Sequence, residues 1–329
     1  MTHLAAIFGP AGLAVTAWER DFFREADPFG FILFARNIDD PDQLRRLTGD
    51  LRAAVGRDAP VLIDQEGGRV QRMRAPHWRE YLPALDQMAR TRDPLRAQYL
   101  RYRLIADELR AVGIDVNCAP LADIAEAATH PFLYNRLYGY DVGSVVAAAR
   151  VCADGLLAGG VVPVLKHIPG HGRARADSHL SLPQVSVSAD DLAAHDFAPF
   201  TALHDLPMGM TAHIVFAALD ADNPATTSPV MMQVIRDQIG FDGLLMTDDL
   251  SMQALSGTMA DRARAAITAG CDLVLHCNGD AAEMGQVAQA AGAMSAAAMT
   301  RANRALSLRK TPGPIDIAAL EAEFDALLA

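Results

Sequence analysis

The sequence holds little cysteine and none of it in paired spacing. Cys118, Cys152, Cys271 and Cys277 are scattered over 329 residues with no C-x-x-C, which argues against a disulfide framework or a zinc knuckle and for free thiols in a reducing compartment. No G-x-G-x-x-G follows the first apolar run, so the chief reason to expect a dinucleotide-binding sheet is missing. There is no long basic run, and 29 Lys+Arg against 40 Asp+Glu leave a formal net charge of -11, which disfavours a nucleic-acid partner. Uninterrupted apolar stretches of about 18 residues are also lacking. The Ala-rich segment 281–300 carries Glu283 and Gln286, so no membrane partner is expected. Residues 1–20, MTHLAAIFGPAGLAVTAWER, have no basic region before their apolar stretch and no clear small-residue cleavage site, and read as a mature cytoplasmic start.

What the chain does have is enough apolar residue for a sizeable core, 51% of the total against 21% charged. Short aliphatic runs recur at 4–8, 31–34, 61–64, 115–120, 162–167, 208–213, 243–248 and 272–277. They read as strands. Between them lie segments of helical period. In 93–113, Leu95, Tyr99, Tyr102, Ile105, Leu109 and Val112 repeat at steps of three or four, with Asp93-Pro94 suited to open the helix and Gly113 to end it. Ser188, with Asp191 three residues on, opens another. About eight β-then-α units predict an α/β fold, a single-domain (β/α)8 TIM-type barrel. The barrel is expected to occupy residues 1–310. TPGP at 311–314 breaks the last long helix and leaves 311–329 as a short helical tail packed on the barrel.

In such a barrel, catalytic groups come from the carboxyl ends of strands. Asp64 closes the third run, Asn117 and Asp123 follow the fourth, Lys166 and His167 close the fifth, His213 the sixth and Asp248 the seventh. These polar ends are expected to converge on one mouth. In DQEGGRVQR (64–72) an acid at a strand tip is followed by two glycines and two arginines, which is either a ligand-approaching turn or a glycine turn with solvated arginines. The stretch KHIPGHGRARADSH (166–179) permits a proton-transfer loop, a metal site or a polar turn. Asp177 two residues before His179 suits a carboxylate-oriented imidazole. A metal site would draw on His167, His171, His179 and His213. Against it stand the absence of H-x-H or H-E-x-x-H spacing and the lysine beside His167. In MTDDLSM (246–252) neighbouring residues point in different directions, so Asp248 is expected to face the pocket and Asp249 to cap or support.

The stretches GFILFARN (30–37), VLIDQEGGRVQR (61–72), VNCAPLAD (116–123), LKHIPGHGRARADSHLSLP (165–183), MTAHIVF (210–216) and GFDGLLMTDDLSM (240–252) resemble glycoside hydrolase family 3. Within it the likeness is to the single-domain bacterial cytoplasmic β-N-acetylglucosaminidases. The resemblance implies a retaining reaction in which Asp248 is the nucleophile and His179, oriented by Asp177, is the acid/base. It implies that Asp64, Arg72, Arg136, Lys166 and His167 hold a terminal N-acetylglucosamine. Arg136 lies in FLYNRLYGYD (132–141), which departs from the family's usual I-G-x-R pattern. The implied substrate is a muropeptide, N-acetylglucosaminyl-β-1,4-anhydro-N-acetylmuramic acid with or without peptide, met in peptidoglycan recycling. No metal and no organic cofactor are expected. Three other readings stay open: phosphorolysis of the same glycosyl-enzyme, a metal-dependent amidohydrolase on the same barrel, and a barrel that only senses muropeptides.

Overall fold

The computed structural model describes residues 2–175, 178 and 181–328. Eight strands, β1 (Leu4–Phe8), β2 (Pro28–Leu33), β3 (Val61–Ile63), β4 (Val116–Asn117), β5 (Val162–Ile168), β6 (Met208–Thr211), β7 (Leu244–Asp249) and β8 (Leu273–His276), pair in parallel in chain order. The last closes on the first, with Ala6 opposite Val274 and Phe8 opposite His276. This is the expected (β/α)8 barrel. Gln184–Val185 and Val215–Phe216 form a small parallel pair outside it.

Each barrel strand is buried on both faces, which is why the runs are almost continuously apolar rather than alternating with polar residues. Alternation survives as a division between two cores. Ile7, Ile32, Leu62, Val164, Leu244 and Leu275 fill the barrel interior, while their chain neighbours Phe8, Leu33, Ile63, Leu165, Leu245 and Val274 point outward into the layer under the helices. The four cysteines are free and buried, Cys118 and Cys277 in the inner core and Cys152 and Cys271 in the outer.

The helix Pro94–Ala111 starts as its sequence predicts, with the Asp93 carboxylate accepting from the Arg96 amide at 3.1 Å and Pro94 in the first turn. It packs tightly on Val142–Ala158. A side chain at Gly155 would bring its Cβ to 2.6 Å from the Tyr99 carbonyl, so only glycine allows this approach. Ser188 caps its short helix by accepting from the Asp191 amide at 3.1 Å.

Most strands end within one or two residues of expectation, and two differ by more. The fourth run is expected over 115–120, but its regular ladder covers Val116–Asn117, because the Ala119 amide turns back to the Asn117 carbonyl at 2.8 Å and Pro120 has no N–H to give. The second begins earlier, at Pro28, since proline is tolerated as a strand's first residue. At the amino-terminal end of the barrel, the helix Ala296–Leu306 sets Ala298, Ala302 and Ala305 against the interior core, and the Met294 amide donates to the His3 carbonyl at 2.9 Å. That end is sealed, and chemistry is confined to the other. The helix Ile317–Leu328 lies along Pro94–Ala111, burying Phe324 near Tyr81 and pairing Glu323 with Arg96 at 2.7 and 2.8 Å. No helix among the described residues is long and apolar enough to cross a membrane.

Candidate active site

The carboxyl ends of the strands surround a cleft of about 230 Å³, lined among others by Asp64, Arg69, Arg72, Arg136, Lys166, His167, Asp248 and Asp249. Its floor is a charge lattice. Asp64, at the end of β3, accepts from Lys166 Nζ at 2.9 Å and from Arg72 Nη2 at 3.2 Å. Glu66, two residues on, takes both ends of the Arg136 guanidinium at 2.9 and 2.8 Å and lies 2.6 Å from Lys166 Nζ. Burial alone would raise both carboxyl pKa values, but Lys166 with Arg72 outweighs it at Asp64, and Arg136 with Lys166 at Glu66. Both are held below the usual range and stay ionised. The same carboxylates push Lys166 and Arg136 upward despite burial.

The turn that connects Asp64 to Arg72 depends on glycine. Gly67 and Gly68 have φ of 98° and 60°, a Cβ on Gly67 would overlap the Arg101 guanidinium, and one on Gly68 would press on Pro83. The Glu66 and Gly67 amides both donate to the Val70 carbonyl, at 2.9 and 3.1 Å, which closes a tight loop with Arg69 at its tip. Asn117, at the end of β4, braces the base of this turn, its side chain accepting from the Gln65 amide and donating to the Gln65 carbonyl, each at 3.0 Å.

Across the cleft, the two neighbouring carboxylates of β7 take different work. Asp249 also reaches the cleft wall, but its carboxylate is taken up by backbone, accepting from the Ser251 amide at 3.0 Å and the Cys277 amide at 3.2 Å. Asp248 faces the cleft and accepts from the Asp249 amide at 2.8 Å. Its burial raises the pKa, yet His167, His213, that amide and Lys166 more than compensate, so its pKa lies below the ordinary value. His213 is fixed from both sides: Nε2 donates to the Asp249 carbonyl at 3.1 Å and Nδ1 meets the Thr226 hydroxyl at 2.7 Å. It braces the strand end that carries Asp248.

His167 Nδ1 donates to Asp123 at 2.8 Å, and the other Asp123 oxygen accepts from the His171 amide at 2.6 Å. His171 is buried, with Nε2 3.3 Å from the Ser178 hydroxyl, and burial together with His167 pushes its pKa down to about 4. His167 and His213 are thus engaged by protein partners, and among the described residues no group of three metal-type side chains converges. The loop leaving β5 is tied down at its start, where Thr129 donates to the Gly172 carbonyl at 2.6 Å and Arg173 pairs with Asp196 at 2.7 Å and Glu126 at 3.0 Å.

Six of the eight residues expected at the site, Asp64, Arg72, Arg136, Lys166, His167 and Asp248, meet at this cleft. Asp177 and His179 lie outside the described residues. Sequence reasoning passed over Glu66 and gave Asp123 no partner. A signal for Glu66 existed: three expected cations, Arg72, Arg136 and Lys166, faced one acid, and buried cations require partners.

Residues 20–308 match the family described as the glycosyl hydrolase family 3 N terminal domain. The chain belongs to glycosyl hydrolase family 3. It is therefore an enzyme of the glycoside hydrolase class. It is 37% identical over 277 residues to a protein named beta-hexosaminidase from Bordetella avium, covering 82% of this chain and 79% of that one. Among solved structures, native NagZ from Neisseria gonorrhoeae superposes with a TM-score of 0.87 at 28% identity, over 100% of this chain and 99% of that one. The same gonococcal protein in complex with N-trifluoroacetyl-D-glucosamine gives a TM-score of 0.84 at 29% identity, over 100% and 96%.

Proposed function

We propose that this family 3 enzyme is a retaining exo-β-N-acetylglucosaminidase that releases terminal N-acetylglucosamine from N-acetylglucosaminyl-β-1,4-anhydro-N-acetylmuramic acid during peptidoglycan recycling in the cytoplasm. The observation that carries this reading is an ionised carboxylate, Asp248, facing a small polar cleft whose opposite wall is an ordered lattice of charged donors and acceptors. A cleft of about 230 Å³ suits one terminal sugar rather than the middle of a long polymer. The similarity to proteins named beta-hexosaminidase, and a neighbour seen with an N-acylated glucosamine, support that sugar.

In this mechanism Asp64, Arg72, Lys166, His167 and Arg136 hold the hydroxyls and the N-acetyl group of the terminal residue. Their orientations are fixed before substrate arrives, so little ordering remains to be done on binding. The Asp248 carboxylate attacks the anomeric carbon as the bond to the leaving oxygen breaks, and that oxygen takes a proton from His179, oriented by Asp177. His179 then removes a proton from water, which attacks the same carbon and expels Asp248. Two inversions give retention. A histidine acid is suited to the task when its proton is held and released near working pH.

The test is release of 4-nitrophenol from 4-nitrophenyl N-acetyl-β-glucosaminide by wild type, Asp248→Asn and His179→Ala, with and without azide. Loss of at least about a thousandfold in Asp248→Asn, and a β-configured glycosyl azide from His179→Ala, are the expected results. An α-configured azide product from His179→Ala, or full activity in Asp248→Asn, would reject the assignment.

A further inference from the structure

Four arginine or lysine side chains line the cleft, and three of them are neutralised within it: Arg72 by Asp64, Lys166 by Asp64 and Glu66, and Arg136 by Glu66. The fourth is Arg69. It is exposed at the tip of the Gly67–Gly68 turn, pairs with no carboxylate among the described residues, and stands over the Phe132 ring at 5.8 Å. Its backbone is not free to wander. The turn is pinned by the amide bonds to Val70 and by Gly68, whose amide donates to the Tyr81 carbonyl at 2.9 Å while its own carbonyl accepts from Arg74 Nη2 at 2.7 Å. A guanidinium held at the rim over an aromatic face, on an exposed residue, suits planar two-point recognition of an incoming carboxylate.

Position decides which part of a substrate that is. The buried lattice and Asp248 occupy the depth of the cleft, where the terminal sugar's anomeric carbon must lie for attack, so the exposed rim meets what is attached to it. Charge adds a second reason. A chain of formal net charge -11 repels an anionic ligand at long range, and an unpaired cation at the mouth offsets this locally. From these observations we infer that Arg69 is a specificity-determining residue that recognises a carboxylate on the leaving-group side of the scissile bond. The inference rests on the glycosidase reading of the cleft. It makes the preferred substrate an acidic conjugate of N-acetylglucosamine rather than a neutral oligosaccharide. That carboxylate has two possible sources, the lactyl ether of a muramic acid residue without peptide, or the peptide carboxylates when the lactyl group is amidated.

The experiment compares wild type, Arg69→Gln and Arg69→Lys on four substrates: the 4-nitrophenyl glycoside, N,N'-diacetylchitobiose, N-acetylglucosaminyl-anhydro-N-acetylmuramic acid and its tripeptide conjugate. The readout is the ratio of kcat/KM on each acidic substrate to that on chitobiose. In Arg69→Gln this ratio is expected to fall about tenfold, the lower end for a charge-assisted hydrogen bond because the site is exposed, and Arg69→Lys to recover part of it. In wild type the ratio should shrink as sodium chloride is raised through the range that screens exposed charges. A fall confined to the peptide-free disaccharide assigns the lactyl carboxylate, and one confined to the conjugate assigns the peptide. A ratio unchanged within about twofold on both acidic substrates overturns the inference, even with the glycosidase reading intact. Should wild type cleave none of the four, that reading fails on its own, and dissociation constants measured by calorimetry still decide about Arg69. Arg69→Gln must then weaken the acidic disaccharide relative to chitobiose, and equal constants overturn the proposal.

Discussion

Replacing Glu66 with glutamine tests the charge lattice most directly, because one atom change removes a charge that two buried cations share. The wild-type cluster sets Arg72, Arg136 and Lys166 against Asp64 and Glu66, an excess of one positive charge. Glu66→Gln doubles the excess and leaves Arg136, 8% exposed, without its bidentate partner. Breaking a buried pair from one side typically costs about 3–5 kcal/mol, because the remaining charge stays desolvated. Against a typical total of about 5–15 kcal/mol the loss is large, and the urea midpoint should fall by about a fifth or more with an unchanged slope. Arg136→Met in the same background restores the original excess, so the double variant should be less destabilised than the two single costs combined, by about 1–3 kcal/mol. The pH dependence has a fixed sign. Glu66 has a folded pKa below its ordinary 4.5, so its contribution is present above that value and is lost as pH falls toward the folded pKa. The gap between wild type and Glu66→Gln should therefore be widest near pH 7 and narrow below about 4.5. Because Arg136 and Lys166 are the groups Glu66 aims, KM should also rise about tenfold, the scale of one charge-assisted hydrogen bond. Single variants that differ from wild type by less than about 0.5 kcal/mol, or costs that simply add, would refute the account of Glu66 as the lattice's charge balance.

Three further outcomes are expected. His171 is held neutral by burial, with a folded pKa of about 4 against 6.5 in the open chain, so protonation of the unfolded state destabilises the fold as pH falls from 6.5 toward 4. The full effect is about 3 kcal/mol, and urea midpoints measured over that range should show a steeper decline in wild type than in His171→Asn. Asp123→Asn keeps an acceptor for the His171 amide but weakens the 2.8 Å bond that aims His167, so kcat/KM on the 4-nitrophenyl glycoside should drop about ten- to a hundredfold; an unchanged value would remove His167 from sugar binding. Full activity should survive exhaustive EDTA treatment and yield free N-acetylglucosamine even in phosphate buffer. A chelator-induced loss restored by zinc, or a sugar 1-phosphate product, would redirect the mechanism to the metal or phosphorolysis readings.

The barrel and half of its mouth were legible in the sequence because their signals are local. Runs such as VLID and GLLMTD announce a strand by continuous apolar residues and announce its active end by the first carboxylate, and Asp64 and Asp248 stand at those ends. The separate duties of Asp248 and Asp249 were expected from the two-residue period of a strand; both reach the cleft, and they differ in that the Asp249 carboxylate is engaged by the Ser251 and Cys277 amides. What stayed hidden is what only three-dimensional pairing defines. Arg136 was placed by family resemblance alone, and Glu66 was absorbed into a glycine turn because nothing between residues 66 and 136 in the linear chain says that they meet. The two arginines of GGRVQR show the limit most clearly. As letters Arg69 and Arg72 are equivalent, and one bland reading left both in solvent. Among the described residues the fold gives Arg72 a carboxylate and Arg69 none, and the turn set by the glycines carries one guanidinium into the lattice and the other over the Phe132 ring. Charge bookkeeping turns this difference into chemistry. A cation paired inside the protein holds substrate by geometry, whereas one left open at the mouth selects among substrates by charge, so the composition of the leaving group should be read at Arg69 and the identity of the terminal sugar at the lattice beneath it.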